Sequence, residues 1–197
     1  MTYSIIGSGN IGAALARQFS RAGVNVTIAN RRGADTLAPL VQELGGAISA
    51  RTIKDAVQAD TIFLALPFSA VETFGGAKDQ WRGKIVIDAT NAYHVRPELL
   101  AGRLSSDIVA AALPGAAVVK AFNHLPAAVL AQDPSQNGGR RVVFISSNDD
   151  AAANEVKILA EQLGFSPILL GRIDEGGRLL QIDGGLILHN LVEWPFK

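Results

Sequence analysis

Short apolar runs recur along the chain, separated by longer stretches whose apolar residues fall at helical spacing. Tyr3 to Ile6 is the first run. Ala13, Ala14, Leu15, Ala16 and Phe19 then predict a helix that Gly23 is placed to end, because glycine readily takes the left-handed C-terminal position. Val24 to Ala29, Ala47 to Ala50, Thr61 to Leu66, Lys84 to Ala89, Val118 to Phe122, Arg141 to Ser146 and Ser166 to Leu170 predict further strands. Thr61 to Leu66 is almost continuously apolar, as a central parallel strand buried on both faces requires. The stretches between predict helices over Asp35 to Leu44, with Asp35 or Thr36 as cap and Pro39 in the first turn, and over Thr52 to Gln58. Others are predicted from Ser69, which has capping-box spacing to Glu72, over Asp107 to Leu113, near Pro126 to Ala131, and over Ala151 to Leu163. The last has its cap among Asn148, Asp149 and Asp150. The run Asp133 to Gly139 is polar and predicts a surface loop.

Strands alternating with helices argue for an α/β, Rossmann-type doubly wound and mostly parallel sheet of about eight strands. No linker composition or repeat interrupts the pattern. Residues 1–197 are therefore expected to form a single domain, with a C-terminal extension from about residue 172 that adds layers to the same sheet.

The turn between the first strand and first helix carries Gly7, Gly9 and Gly12 in G-x-G-x-x-G spacing. In such a turn Gly7 permits the sharp reversal, Gly9 lets the backbone approach a pyrophosphate, and Gly12 lets the helix lie close on the strand. The free N–H groups and positive dipole end of the helix then face the phosphates. About 20 residues beyond, where an acidic residue would accept from the ribose 2′-hydroxyl of NAD, stand Asn30, Arg31 and Arg32. A carboxylate would repel a 2′-phosphate, whereas guanidinium groups pair with one. This predicts an NADP site.

Composition narrows the remaining classes. The chain of 197 residues has 18 basic and 18 acidic side chains, which leaves no charge footprint for nucleic acid or an anionic membrane. Cysteine is absent, which removes disulfides, thiolate nucleophiles and Cys-based metal sites. The longest apolar run, Ile108 to Val119, is broken by Pro114 and Gly115; no signal peptide or membrane span is expected, and a cytoplasmic location follows. His94, His124 and His189 form no HxxxH or HExxH pattern, so no metal site is predicted. Neither a G-x-S-x-G elbow nor a Walker lysine occurs.

The motifs GSGNIG, NRRG, LALPFSAV, KAFNHLPA and RVVFISSNDD followed by LGFSPILLG resemble, in order over almost the whole chain, the NADP oxidoreductase, coenzyme F420-dependent family. That coenzyme is a deazaflavin. Ser8, Asn10 and Ile11 match the broader bacterial branch of the family, and the cytoplasmic reductase domains of membrane ferric reductases, which hold NADP beside a flavin, are similar as well. The resemblance implies one Rossmann domain with a small C-terminal portion, often paired as a homodimer. It places the pyrophosphate on Gly7, Ser8, Gly9, Asn10, Ile11 and Gly12, and the 2′-phosphate on Asn30, Arg31 and Arg32. Leu66, Pro67, Phe68 and Asn91 would line the nicotinamide ribose, with Pro126 and Ala127 near the carboxamide.

The expected chemistry is hydride transfer between NADP(H) and a planar small-molecule acceptor of deazaflavin or flavin type. Such a step needs proximity and alignment rather than a strong acid or base, so no catalytic residue is assigned. His124 could reach the acceptor or simply satisfy loop backbone. Trp194 and Phe196 could stack on a flat ring, or serve a dimer contact or the core. Reduction of a small metabolite, and a non-catalytic NADPH-sensing module, are the alternative functions.

Overall fold

Each predicted strand forms, and the order of those strands fixes one edge as the place for a ligand. The computed structural model describes residues 1–75 and 78–195. In chain order its elements are β1 (Tyr3–Ile6), α1 (Asn10–Ala22), β2 (Val26–Ala29), α2 (Ala38–Leu44), β3 (Ile48–Ala50), α3 (Ile53–Ala56), β4 (Thr61–Leu64), α4 (Val71–Gly75) and β5 (Ile85–Asp88). There follow α5 (Pro97–Leu100), α6 (Ser105–Ala112), β6 (Ala117–Ala121), α7 (Ala127–Leu130), β7 (Ser135–Gln136), β8 (Gly139–Ser147), α8 (Asp150–Gln162), β9 (Ser166–Leu169), α9 (Gly176–Leu179) and β10 (Val192–Glu193). The sheet runs β10-β8-β6-β5-β4-β1-β2-β3, with β7 and β9 also paired to β8. Strands β1 to β6 are mutually parallel, and β8 returns antiparallel to β6. This is the Rossmann-type architecture, with eight strands of three residues or more and two short additions.

Both faces of the sheet are covered, which is why the central strands carry few polar residues. All four residues of β4 are buried. On one face, Ile5, Ile28 and Val119 pack under α1 and α8 through Leu15, Phe19, Val156 and Leu159. On the other, Ile62, Leu64 and Val86 meet Val71, Trp81 and Val109. A file of aromatic rings, Tyr3, Phe19, Phe63, Phe122 and Phe165, crosses the first face with centroids 5.5 to 5.7 Å apart, in tilted or edge contacts that aromatic pairs favour.

Three local expectations need correction. The helix expected over 35–44 divides into a 3-10 turn at Ala34–Leu37 and α2; Thr36 donates to the Gly33 carbonyl instead of capping, and Pro39 sits in the first turn of α2. After β4 the chain turns at Phe68–Ala70 with Pro67 at the cap position, two residues ahead of the expected Ser69 cap. Within the expected loop 133–139, Ser135 and Gln136 pair with Gly139 and Arg140 as a tight hairpin. The extension beyond residue 172 seats itself on the same sheet. Ile173 and Leu180 are buried, and Val192 and Glu193 pair with the start of β8. Asp149 is the cap of α8, accepting from the Ala152 amide at 2.9 Å.

Candidate active site

Strand β1 lies between β2 and β4, so the chain winds outward in both directions from it. In such sheets the crevice at the carboxyl ends of the strands, where the winding reverses, is the ligand position. The loops that follow the strands stand there in a row. From β3 across to β6 they carry Arg51, then Asn30 to Arg32, Gly7 to Gly12, Leu66 to Phe68, Asn91, and Asn123 to Ala127. At about 4.8 Å per strand, β2 to β5 spans roughly 14 Å.

Within the glycine turn two glycines are required by the protein's own packing and one is not. Gly7 has φ of 111°, and a Cβ there would overlap the Ala65 carbonyl; a Cβ on Gly12 would overlap the carbonyl oxygen of Gly7. Gly9 has an ordinary extended backbone, and a Cβ on it would meet nothing within 4 Å. It caps α1 without a side-chain hydrogen bond, and the first turn of α1 has no acidic residue. The open space above the exposed amides is thus what glycine preserves, and an anion suits that helix end. Gly9→Val should fold like the parent and lose affinity for NADPH and NADH alike. A folded variant, checked by circular dichroism, that binds both coenzymes as tightly as the parent would remove the turn from the site.

The arginine loop is held by its own asparagine. Asn30 Nδ2 donates to Ser8 Oγ at 2.9 Å and to Thr36 Oγ1 at 3.0 Å, while its Oδ1 accepts from the Arg32 amide at 2.9 Å. Arg31 and Arg32 are exposed and have no side-chain partner among the described residues. Sequence reasoning missed a third arginine here. The Arg51 amide donates to the Ile28 carbonyl, so the end of β3 sets Arg51 beside the start of the same loop, exposed to solvent. Its signal was the end of a predicted strand.

The loops after β4, β5 and β6 form the other half of the row. Leu66 and Phe68 are half-buried against the core and Pro67 is exposed. Asn91 Nδ2 donates to the Asn123 carbonyl at 2.7 Å, and Asn123 Nδ2 returns a bond to Asn91 Oδ1 at 2.9 Å and another to the Leu180 carbonyl at 2.6 Å. Phe122 turns the chain there with φ of 63°, unusual for so bulky a residue, and its ring is fully buried in the aromatic file. Pro126 is exposed at the cap of α7, Ala127 opens that helix, and α7 packs on α1.

His124 does not face the crevice. Its ring is fully buried with its centroid 4.9 Å from that of Phe144, and neither ring nitrogen has a hydrogen-bond partner. Burial pushes its pKa down to about 4; the nearby Val142 backbone opposes this weakly, without reaching hydrogen-bond geometry. The ring is therefore neutral near pH 7. The extension closes over it, the Leu188 amide donating to the His124 carbonyl at 2.7 Å. Trp194 is exposed and stands beside Gly139 at the start of β8, and Phe196 lies outside the described residues.

Behind these loops sits an ion pair that sequence reasoning missed. Lys120 and Asp88 are both fully buried, 3.0 Å apart, at the ends of β6 and β5. Asp88 also accepts from Thr90 N and Oγ1 and from Ser106 Oγ, and Lys120 donates to the Thr90 carbonyl at 2.6 Å. A lysine inside VVKAF and an aspartate ending KIVID were the available signal, because a charge in a buried strand needs a partner.

A separate groove at the opposite edge, lined by Lys84, Ala117, Asp149 and Glu155, is a poor phosphate site, since carboxylates face it and Lys84 Nζ is bound to the Gln58 and Ala59 carbonyls. Among the described residues no cluster of His, Asp or Glu could hold a metal, and no helix is long and apolar enough to cross a membrane.

This fold, with a glycine turn and free arginines along the crevice, defines a dinucleotide-binding protein of the oxidoreductase type. The family model for "NADP oxidoreductase coenzyme F420-dependent" matches residues 2–92, a little under half of the chain, and over that part the chain is similar to the NADP-dependent oxidoreductases of that family. A hypothetical protein from Sinorhizobium meliloti, SMa0349, is 43% identical, with 98% of this chain and 96% of that one covered and a TM-score of 0.93. A reductive aminase from Aspergillus terreus, solved with NADPH and ethyl levulinate, is 26% identical over 87% of this chain and 55% of its own, with a TM-score of 0.62. Metalloreductase STEAP2 from Mus musculus is 29% identical over 177 residues, and the Homo sapiens protein matches equally. That alignment covers 88% of this chain and spans about a third, 34%, of the length of these curated relatives.

Proposed function

We propose that the protein transfers a hydride between NADP(H) and a planar redox acceptor, a deazaflavin or flavin. The observation that carries this is the character of the crevice on the β4 to β6 side. The strand-end segments 65–68, 89–92 and 122–127 hold no charged side chain, and the one histidine among them is buried and neutral. A carbonyl or imine needs a proton as well as a hydride, whereas ring-to-ring transfer chiefly needs alignment and exclusion of water.

Bound NADPH supplies the hydride, with both electrons, to the acceptor ring. The protein's part is placement. Gly7 to Gly12 offer the helix amides to the pyrophosphate, and the open space over Gly9 fits it. Arg31 and Arg32 take the 2′-phosphate. Leu66, Pro67, Phe68 and Asn91 line the nicotinamide ribose, and Asn123 fixes Asn91 through their paired amides. Pro126 and Ala127 lie beside the carboxamide, and the acceptor occupies the space toward the extension from Leu186 onward.

Reduction of a small imine or carbonyl is the second reading, favoured by the likeness to the reductive aminase, of which this chain spans 55%. NADPH oxidation measured against deazaflavin, flavin, quinone, ferric and cyclic-imine acceptors separates them. Turnover with a deazaflavin or flavin is expected. Turnover with the imine alone would establish the second reading, and no turnover with any acceptor would leave a binding module.

A further inference from the structure

We infer that Asn30 is not a ligand of the 2′-phosphate but a positioning residue, which selects NADPH by tying the arginine loop to the pyrophosphate turn through Ser8. The inference rests on the NADP site proposed above and deepens it. A primary amide has two N–H donors, and both of Asn30's are spent inside the protein, on Ser8 Oγ at 2.9 Å and Thr36 Oγ1 at 3.0 Å. Its carbonyl oxygen accepts from the Arg32 amide at 2.9 Å. No donor is left for a phosphate oxygen. The acceptor end would repel one.

The same three bonds describe a brace. Ser8 stands between Gly7 and Gly9, where the turn approaches the pyrophosphate, and the Arg32 amide belongs to the loop that carries both free guanidiniums. Thr36 closes the loop from its far side by donating to the Gly33 carbonyl at 2.8 Å. Exposed arginines lose rotamer and backbone freedom when they grip a phosphate, and a loop already fixed relative to the pyrophosphate turn reduces that loss. Removing the brace should therefore weaken the coenzyme that has a 2′-phosphate far more than the one that lacks it.

The test compares dissociation constants of NADPH and NADH for the parent, Ser8→Ala, Asn30→Ala, the double variant, and Arg31→Ala/Arg32→Ala. The readout is the NADPH-over-NADH preference. A Ser8 that merely contacts the pyrophosphate would weaken both coenzymes together and leave this ratio unmoved. Ser8→Ala should lower the ratio about fivefold and Asn30→Ala at least as far, since it also loses the Arg32 amide bond, and the double variant should fall no further than Asn30→Ala alone, because the Ser8–Asn30 bond is already gone. An unchanged ratio in Ser8→Ala, or additive losses in the double variant, would overturn the brace. A parent preference that falls in the double-arginine variant but is retained in Ser8→Ala refutes the brace alone. A parent with no preference for NADPH refutes the underlying site as well.

Discussion

Lys120→Met is expected to destabilise the fold by about 3 kcal/mol, at the lower end of the range for breaking a buried ion pair. The methionine fills much of the same volume, so the loss does not come from a cavity. It comes from Asp88, whose fully buried carboxylate keeps Thr90 and Ser106 as donors but loses the Lys120 cation that pairs with it. The Thr90 carbonyl loses a donor as well, and Thr90 leads directly into Asn91. Urea unfolding should show a lower midpoint with an unchanged slope, the signature of lost stability rather than a changed denatured state. Replacing both members, Lys120→Met with Asp88→Asn, should recover a substantial part of the loss, because the amide oxygen can still accept from Thr90 and no charge remains buried. A single variant within about 0.5 kcal/mol of the parent, a typical surface effect, would show that the pair does not hold the β5 and β6 ends together.

What the sequence disclosed about this site, and what it concealed, follows from how far each signal reaches along the chain. The strands, α1 and the glycine turn were legible because their causes are local: an apolar run, a helical spacing, three glycines at fixed offsets. The arginine pair was legible because its distance from those glycines is set by one strand-helix-strand unit. Contacts between loops that are remote in sequence were not. Nothing within NRRG indicates that Asn30 reaches back to Ser8, 22 residues earlier, and Asn91 and Asn123 meet across 32 residues only because β5 and β6 are neighbours in the sheet. His124 stayed open between the acceptor and the loop backbone for a related reason. Its position after β6 puts its backbone at the crevice, but the positive φ of Phe122 and the tail docking at Leu188 turn its ring inward toward Phe144. The extension itself carried little periodicity. Its seating depends on long-range partners, the Leu180 carbonyl on Asn123 and Val192 on Arg141.

Replacing Arg31 and Arg32 together by Ala is expected to raise the NADPH dissociation constant roughly tenfold or more and to leave that of NADH nearly unchanged. Hydrogen bonds to charged groups contribute roughly 1.5 to 3 kcal/mol each, which for two guanidiniums on one phosphate would amount to some hundreds-fold or more without screening. Both side chains are exposed, so solvent and salt reduce that figure considerably. Neither is drawn off by a carboxylate: their loop is free of side-chain ion pairs among the described residues, and the polar groups that anchor it, Asn30 and Thr36, are neutral. The two cations therefore remain available to a ligand. Arg51, at the neighbouring strand end, adds to the local positive potential and should leave a residual preference for NADPH in the double variant. The preference of the parent should fall as ionic strength rises, since the contact is solvent-facing. Titrating both coenzymes into parent and variant at two salt concentrations decides the matter. Equal losses for NADH and NADPH would mean that the arginines support the fold, and no loss for either would mean that they face solvent without a ligand.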